Sequence, residues 1–229
     1  WTSNLNMSHT TGKILTLWGN NTYYNGNGFV APGTPGDAAR LEEGSTIGSF
    51  YIWKFAGFDD DGNFLLYNKD GEVIPAEKKT ENDKQFIGNY TPKLILGWNN
   101  TFSYKNFDLG INMRSWIDFD VYNTINMYYG IQGRGNTNVL KEAYGKFNHI
   151  KGEKQICDYY LEDGTFLKID AITLGYSLNM KKYTNNLVDR IRVYATVGNV
   201  CTITGYSGMN PEVNITGWDQ GTEKFWDTG

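Results

Sequence analysis

The stretch Thr91-Pro-Lys-Leu-Ile-Leu-Gly-Trp-Asn-Asn-Thr-Phe-Ser-Tyr-Lys-Asn-Phe-Asp-Leu-Gly-Ile-Asn-Met-Arg-Ser-Trp116 decides the fold class. Apolar and polar side chains alternate along it, on both sides of a two-residue turn at Lys105-Asn106. Successive strand residues point to opposite faces of a sheet, so the stretch predicts a hairpin with one apolar and one polar face. The apolar face comprises Leu94, Leu96, Trp98, Asn100, Phe102 and Tyr104 before the turn, and Phe107, Leu109, Ile111 and Met113 after it.

Two kinds of sheet fit this hairpin. Strands of this length with aromatic residues at their ends are typical of a transmembrane β-barrel, whose strands need about 9–11 residues to cross the bilayer. A water-soluble β-sandwich is the alternative, because alternation alone does not say whether the apolar face meets lipid or a protein core.

Composition narrows the function classes. The 229 residues suffice for one large β domain or two small ones. Aromatic residues make up 15% of the chain and there are 27 glycines, while good helix formers dominate no long window. A net charge of −4, with acidic and basic residues dispersed, gives nucleic-acid binding no electrostatic basis. Since no long apolar run occurs, a transmembrane helix is excluded, but a membrane barrel with half-polar strands is not.

The chain ends and the cysteines carry less information. Trp1–Ser8 alternates like a strand and lacks the basic and apolar regions of a signal peptide, so we expect a fragment or a processed product. A disulfide between Cys157 and Cys201 and two free thiols are both compatible with their spacing.

Alternation and turn signals predict about eight strands. The predicted strands and their connections are Trp1–Ser8, Lys13–Trp18, a long stretch Gly19–Gly44, Ile47–Phe58, a tight turn Asp59–Gly62, Asn63–Tyr67, a loop Asn68–Tyr90, the two hairpin strands, a long loop to Asp163, Thr165–Asn179, Arg190–Thr202 and a final loop Ile203–Gly229. Within Thr165–Asn179 the apolar phase slips by one residue, which predicts a β-bulge near Ala171.

Long connections recur between every second pair of strands. Loops above about 12–15 residues are unusual in compact soluble domains. Outer-membrane barrels instead place short turns on the periplasmic side and long loops outside. The alternation of loop lengths therefore favours the membrane barrel over the sandwich.

Few residues suggest bond chemistry or metal binding. Asp59, Asp61 and Asn63 have the spacing that opens an EF-hand loop, but Phe64 stands where that loop needs glycine, which favours a solvated turn. Asp118 and Asp120 form a carboxylate pair at a strand exit without a second anchor, and His9 and His149 belong to different loops without a nucleophile signature. We expect no catalytic residue, no metal and no cofactor.

Six motifs follow one another in a fixed order along the chain. They are Ile87-Gly-Asn-Tyr-Thr-Pro-Lys93, Asn99-Asn-Thr-Phe-Ser-Tyr-Lys-Asn-Phe-Asp-Leu109, Asp163-Gly-Thr-Phe-Leu-Lys-Ile169, Ile172-Thr-Leu-Gly-Tyr-Ser177, Arg192-Val-Tyr-Ala-Thr-Val-Gly-Asn199 and Gly205-Tyr-Ser-Gly-Met-Asn-Pro-Glu-Val213. Together these motifs resemble the C-terminal barrel region of SusC/RagA-type TonB-dependent outer-membrane transporters. The resemblance implies that residues 1–229 are an all-β, antiparallel part of a larger transmembrane β-barrel, without its final strand and without the plug domain.

The resemblance also implies a function. In a Gram-negative outer membrane, the chain would supply barrel wall, lumen lining and extracellular loops of an importer of oligosaccharides or peptides. Implied partners are a SusD-like surface lipoprotein, the TonB complex through a missing N-terminal part, the remainder of the transporter chain and outer-membrane lipid. A secreted β-sandwich that binds glycans remains the alternative, and an enzyme is a distant third.

Two residue sets follow from this interpretation. Aromatic side chains in or beside the predicted extracellular loops are candidates for stacking on a glycan or peptide, although packing between loops explains any one of them at least as well. This candidate substrate-binding set is Trp18, Tyr23, Tyr24, Tyr128, Tyr129, Tyr206 and Trp218. The predicted lumen set is Asn99, Thr101, Asn112, Arg114, Thr173, Ser177 and Arg192, and an interfacial aromatic girdle is expected at Trp98, Phe102, Tyr104 and Phe107.

Overall fold

The computed structural model describes residues 1–19, 21–25, 38–132, 138–214 and 221–222. Antiparallel strands dominate the described residues, with one short α-helix, α1 (Thr124–Tyr129). In chain order the strands are β1 (Thr2–Ser8), β2 (Tyr23–Asn25), β3 (Arg40–Glu42), β4 (Phe50–Ile52), β5 (Lys54–Phe58), β6 (Phe64–Tyr67), β7 (Val73–Pro75), β8 (Gln85–Ile87), β9 (Leu94–Tyr104), β10 (Phe107–Ile117), β11 (Asp120–Tyr122), β12 (Leu161–Asp163), β13 (Phe166–Asn179) and β14 (Arg190–Thr204).

The chain divides into two compact units, each assembled from three separate segments. The first, called the sheet unit, comprises Trp1–Thr10, Lys93–Ile117 and Thr165–Gly205. The second, called the loop unit, comprises Thr11–Pro92, Asp118–Gly164 and Tyr206–Gly229. Two segments of the loop unit, Thr11–Pro92 and Asp118–Gly164, are therefore connections between strands of the sheet unit, and the third follows its last strand.

The sheet unit is one antiparallel sheet of five long strands in the order β1-β9-β10-β13-β14. The turn Lys105-Asn106 joins β9 to β10, as the sequence predicts, with Lys105 at a φ of 53°. Residues 180–189 join β13 to β14 at the same end of the sheet, since all neighbouring strands are antiparallel. The long connections leave the sheet at its other end, so short turns and long connections lie at opposite ends, as predicted. The predicted number of alternating connections is wrong, because Lys13–Trp18, Ile47–Phe58 and Asn63–Tyr67 lie in the loop unit and not in this sheet.

The strand register confirms the two faces. Leu109 pairs with Phe102 on one side and with Leu174 on the other, and the next apolar row joins Phe107 to Tyr104 and Tyr176. None of the hairpin residues Leu94, Leu96, Trp98, Leu109 and Ile111 is buried. A sandwich would cover this face with a second sheet, whereas the described residues leave Leu174 54% and Val193 61% exposed.

The predicted bulge is present. The pairing of β13 with β10 shifts between Ile169 and Ala171, leaving Asp170 as the extra residue. The apolar row therefore passes from Ile172 to Ile169 across the bulge. Ala171 pairs with Asn112 and so lies in the polar rows.

The loop unit has its own hydrophobic core, which is rich in aromatic side chains. Short strands frame this core in the pairs β2-β3, β4-β8 and β11-β12 and in the three-stranded sheet β5-β6-β7. Asn123 caps α1, because its side chain accepts a hydrogen bond from the Asn126 amide at 2.9 Å. The largest fully buried side chains are Tyr122, Tyr128, Phe50, Phe64, Phe166, Ile52, Leu66, Met127, Ile150, Ile156 and Val121, of which all except Phe166 belong to the loop unit.

Several predictions about local structure are wrong. The predicted loop Asn68–Tyr90 contains the strands β7 and β8. Lys13–Trp18 forms no strand, only a single bridge from Lys13 to Thr46. Ile47–Phe58 is not one strand but β4 and β5, because Trp53 leaves the β4 ladder and bridges in parallel to Cys157. The segment after Trp116 is not an irregular loop, since it folds into β11, α1 and β12 with two short 3₁₀ turns.

Two further observations concern membrane-spanning helices and the cysteines. No helix in the described ranges is long and apolar enough to cross a membrane. Cys157 is buried and Cys201 is exposed, and both thiols are free. Burial raises the pKa of the Cys157 thiol far above its usual range, so this sulfur stays protonated and packs as a small apolar group.

Candidate functional site

The polar face of the sheet unit brings the whole predicted lumen set together. Asn112 pairs with Asn99, Thr173 lies between Gly110 and Thr196, and Ser177 pairs with Arg192. The Thr173 and Thr196 hydroxyls are 2.9 Å apart and share a hydrogen bond. One face thus presents amides, hydroxyls and guanidinium groups, which can hydrogen-bond water or a polar solute.

Two ion pairs cross this polar face. Arg192 on β14 donates from Nε to Asp108 Oδ1 on β10 at 3.0 Å, passing over Gly175 of the intervening strand β13. A Cβ at position 175 would approach the Asp108 carboxylate to 2.5 Å, so the glycine leaves room for the pair. Arg114 bonds Asp170, the bulge residue, at 3.0 Å. The sequence does not predict either acidic partner. Alternation assigns a residue to a face of the sheet but does not show which side chain of another strand it contacts.

The opposite, apolar face carries its aromatic residues toward the end with the short turns. Trp1 and Phe102 stack with ring centroids 6.0 Å apart, and Phe107 and Tyr176 lie 4.7 Å apart. Asn100, the polar exception on this face, accepts a hydrogen bond from Trp1 Nε1 at 3.1 Å. The indole thereby satisfies an amide oxygen that an apolar environment would otherwise penalise.

Three of the predicted substrate-binding aromatics are accessible and lie in adjacent chain segments. Trp18 is 91% exposed, and its carbonyl accepts a hydrogen bond from the Tyr24 hydroxyl at 2.7 Å. The guanidinium of Arg40 lies 3.9 Å from the ring centroids of both Tyr23 and Tyr51, so one face of Tyr23 is occupied. Within the described part of the predicted set, Trp18 and Tyr24 are exposed and have no cation over their rings.

The remaining members of the set differ in accessibility. Tyr128 is 1% exposed and Tyr206 is 6% exposed, so both rings act in packing in this chain. Tyr129 is half-buried at the end of α1. Trp218 lies outside the described residues. The sequence could not separate these cases, because a loop tyrosine and a core tyrosine carry the same local signal.

A cleft of about 570 Å³ in the loop unit was not predicted. Lys79, Lys151 and Lys154 line it with Glu153, Gln132, Gln155 and Trp53; we call it the lysine cleft. The lysines come from segments 72 or more residues apart in sequence, so their spacing offers no signal. Among the described residues, no group of three or more His, Cys, Asp or Glu side chains could hold a metal ion.

One carboxylate fixes the segment that begins at Tyr206. Glu162 on β12 accepts hydrogen bonds from the Ser207 amide and hydroxyl, each at 2.8 Å, and from Asn123 Nδ2 at 2.9 Å. A carboxylate is acceptor-only and so matches these donors. Glu162 therefore joins the chain after β14 to the start of α1.

Replacing Glu162 with glutamine is expected to weaken this junction. The NH2 group of glutamine is itself a donor and would face the hydrogen-bond donors of Ser207 and Asn123. Hydrogen bonds to charged groups contribute about 1.5–3 kcal/mol, so exchange of the Ser207 amide should accelerate roughly 10- to 100-fold. Hydrogen exchange read by mass spectrometry measures this. Glu142→Gln at an exposed site is the matched control, and equal acceleration in both variants would contradict the assigned role.

Comparison with known proteins identifies the fold and its relatives. No family model matches the chain. The chain is 26% identical over 244 residues to TonB-dependent receptor P3 of Formosa agariphila, covering 93% of this chain and 23% of that protein. It is 26% identical over 232 residues to TonB-dependent receptor SusC of Bacteroides thetaiotaomicron, covering 93% of this chain and 22% of that protein.

The solved structures that the chain matches are of the same kind of protein as these relatives. The chain matches the structure of the RagAB peptide transporter with a TM-score of 0.77 at 20% identity, covering 96% of this chain and 24% of the other. A structure of the RagAB peptide importer in the closed-closed state gives a TM-score of 0.70 at 21% identity, covering 96% and 26%. The resemblance to SusC/RagA-type TonB-dependent transporters is confirmed, and the chain spans about a quarter of the length of the proteins it matches.

Proposed function

We propose that this chain, which is similar to SusC/RagA-type TonB-dependent receptors, is the C-terminal barrel part of an outer-membrane importer of oligosaccharides or peptides in a Gram-negative bacterium. The observation that carries the proposal is the five-stranded sheet with one exposed apolar face and one polar face. Such a sheet is stable in a bilayer, where lipid covers the apolar face and the polar face lines the lumen. Similarity to receptors over 93% of the chain supports it.

The sheet edges support a larger barrel. Within the described residues, β1 pairs only with β9 and β14 only with β13, so each has one open edge. Backbone groups at an open edge find no hydrogen-bond partners in lipid. The remainder of the transporter chain would supply the neighbouring strands, together with a plug domain that lies outside residues 1–229.

The two units would have different roles in import. The sheet unit would form wall and lumen, with Trp1, Trp98, Phe102, Tyr104 and Phe107 among the aromatic residues at the membrane interfaces. The loop unit would face the cell exterior under a SusD-like lipoprotein and contact the glycan or peptide, with Trp18, Tyr24 and their aromatic neighbours as stacking residues. The TonB complex would act through the plug end of the transporter, and this chain would perform no bond chemistry.

A genetic experiment tests this function. Deletion of the gene that encodes this chain should abolish growth on one class of oligosaccharide or peptide as sole nutrient. The intact gene should restore growth, except in cells without TonB. In detergent extracts of the outer membrane, the full receptor should copurify with a surface lipoprotein. Unchanged growth on every nutrient, or recovery of the protein in the soluble fraction, would refute the proposal.

A further inference from the structure

The lysine cleft concentrates positive charge. Lys79, Lys151 and Lys154 line it against a single acidic side chain, Glu153. Within the described residues, none of the three lysines has a carboxylate oxygen within 4.0 Å, although exposed glutamates are common in this unit. Three ammonium groups around one cavity repel each other, and an anionic ligand would relieve that repulsion.

Two lysines lie close to the Trp53 ring, and only one of them has a carboxylate partner among the described residues. Its ring lies 4.4 Å from Lys84 Nζ and 5.0 Å from Lys79 Nζ, so two cations approach one indole. Lys84 is neutralised by Glu81, whose carboxylate lies 2.8 Å from its Nζ. Lys79 has no such partner among the described residues, and its Nζ donates only to the carbonyl of Ala76 at 3.2 Å.

The Lys79 ammonium is held in place before any ligand arrives. The Trp53 ring and the Ala76 carbonyl fix its head, and the Trp53 indole is itself fixed by donating to Thr80 O at 2.9 Å. Burial lowers the pKa of Lys79, and attraction by Glu81 and Glu153 offsets part of this effect. A bound anion would stabilise the charged form of an ammonium group that the protein holds at a cost.

The neutral donors of the cleft are already used. Gln132 donates from Nε2 to Ala143 O at 2.6 Å and to Asn148 Oδ1 at 2.8 Å, and Gln155 donates to Glu153 O at 3.0 Å. The lysine ammonium groups are therefore the principal donors left for a ligand. Lys154 lies over the Tyr128 ring at 5.2 Å, which orders its stem on the cleft wall.

A neighbouring cleft with more acidic residues limits the region that favours an anion. It shares Lys79, Lys151 and Glu153 with the lysine cleft but adds the acidic side chains of Asp59 and Glu77. An anion approaching that side would meet three carboxylates and two lysines. The region between Lys79, Lys151 and Lys154, away from Asp59, is thus the place where an anion is best accommodated.

We propose that the lysine cleft binds a carboxylate group of the imported nutrient, carried by a uronic acid or by an acidic peptide. This binding role rests on the proposed import function, and it specifies the chemical class of the imported substrate. Lys79 supplies a fixed ammonium group, and Lys151 and Lys154 close around the carboxylate from the more exposed side of the cleft. Neutral ligands of the same size can accept hydrogen bonds from these ammonium groups but lack the attraction between opposite charges.

Two matched ligand pairs test the proposal on the full receptor in detergent. Digalacturonic acid is compared with its neutral counterpart galactobiose, and the dipeptide Gly-Glu with Gly-Gln, by isothermal titration calorimetry. At least one carboxylate ligand should bind about tenfold or more tightly than its neutral counterpart, since a charge-assisted hydrogen bond contributes that much. The preference should fall at high salt. Preference in the sugar pair or the peptide pair tells which source carries the carboxylate.

Two variants connect the preference to the cleft. Lys79→Gln combined with Lys151→Gln should abolish the discrimination, and Lys151→Gln alone, at an exposed residue, should lower it several-fold. Lys78→Gln, on the same 3₁₀ turn but outside the cleft, should leave it unchanged. Equal binding of both members of each pair, or equal loss in the Lys78 variant, would overturn the inference. Import of a neutral nutrient would then still uphold the proposed function, whereas unchanged growth after gene deletion would remove both.

Discussion

Ile111→Arg is expected to destabilise the folded receptor by about 2–4 kcal/mol, while Asn112→Arg on the same strand should cost about 1 kcal/mol or less. Ile111 lies in the middle of β10, in the apolar row that joins Asn100 and Ile172. An arginine there would place its charge in the hydrocarbon region of the bilayer. Position 112 faces the polar side next to Asn99, where water or a polar solute can hydrate a guanidinium group.

The comparison removes most other causes of destabilisation. Both variants introduce the same side chain into the same strand, one residue apart, so the added charge is matched, and the loss of strand propensity at Ile111 amounts to at most about 1 kcal/mol. Folding of the intact receptor into lipid vesicles in a urea gradient measures the difference. A smaller effect at Ile111 than at Asn112 would reverse the assignment of the faces, and equal small effects would argue for a face that meets water.

Gly62→Ala is expected to cost about 3 kcal/mol or more of local stability in the loop unit, because strain in the left-handed region and overpacking each contribute about 1–3 kcal/mol. Gly62 has a φ of 82° in the turn between β5 and β6. A Cβ there would lie 2.1 Å from the His149 carbonyl oxygen, a backbone atom that cannot turn away. The Gly62 carbonyl also accepts from the Lys151 amide at 3.0 Å and from the Gly152 amide at 3.2 Å.

Gly71→Ala is the matched control. Gly71 has the same φ of 82°, but nothing lies within 4 Å of an added Cβ. It should therefore show the strain alone, about 1–2 kcal/mol for an alanine in the left-handed region. In the full receptor, hydrogen exchange at the amides of Lys151 and Gly152, which bond to Gly62 O, measures the first variant. Exchange at the amides of residues 68 and 71, which bond within the turn at Gly71, measures the second. Equal acceleration at the two turns would show that the His149 carbonyl adds no steric cost at position 62.

Much of the sheet unit could be predicted from its sequence. Alternation has a period that matches the strand, so Leu94–Tyr104 and Phe107–Ile117 reveal their faces and their turn without any partner. The bulge at Asp170 was predictable for the same reason, because a single extra residue reverses the phase of everything after it. A contact between strands that are not neighbours, such as the ion pair of Asp108 with Arg192, produces no periodic pattern in the sequence.

The loop unit could not be predicted in the same way. Its core joins residues from segments that the sheet strands separate, such as Trp53 with Ile156 and Asn123 with Ser207. Trp53 ends the β4 ladder because a distant segment offers it a parallel bridge, and local alternation cannot show this tertiary effect. The lysine cleft depends on the same long-range assembly, so it became visible only with the fold.

The ion pair over Gly175 also constrains how the strands can align during assembly. A slip of one residue between β13 and β14 would exchange their faces and is excluded by the apolar pattern. A slip of two residues would keep the faces. In one direction it would carry Arg192 about 7 Å further from Asp108 along the strand, and in the other direction it would place Arg192 opposite Gly175, in the row of Asp108. The pair therefore distinguishes the native alignment from the slip that carries Arg192 away, and it forms only when three strands lie side by side. Asp108, Gly175 and Arg192 thus act together as a register check on the arrival of β14.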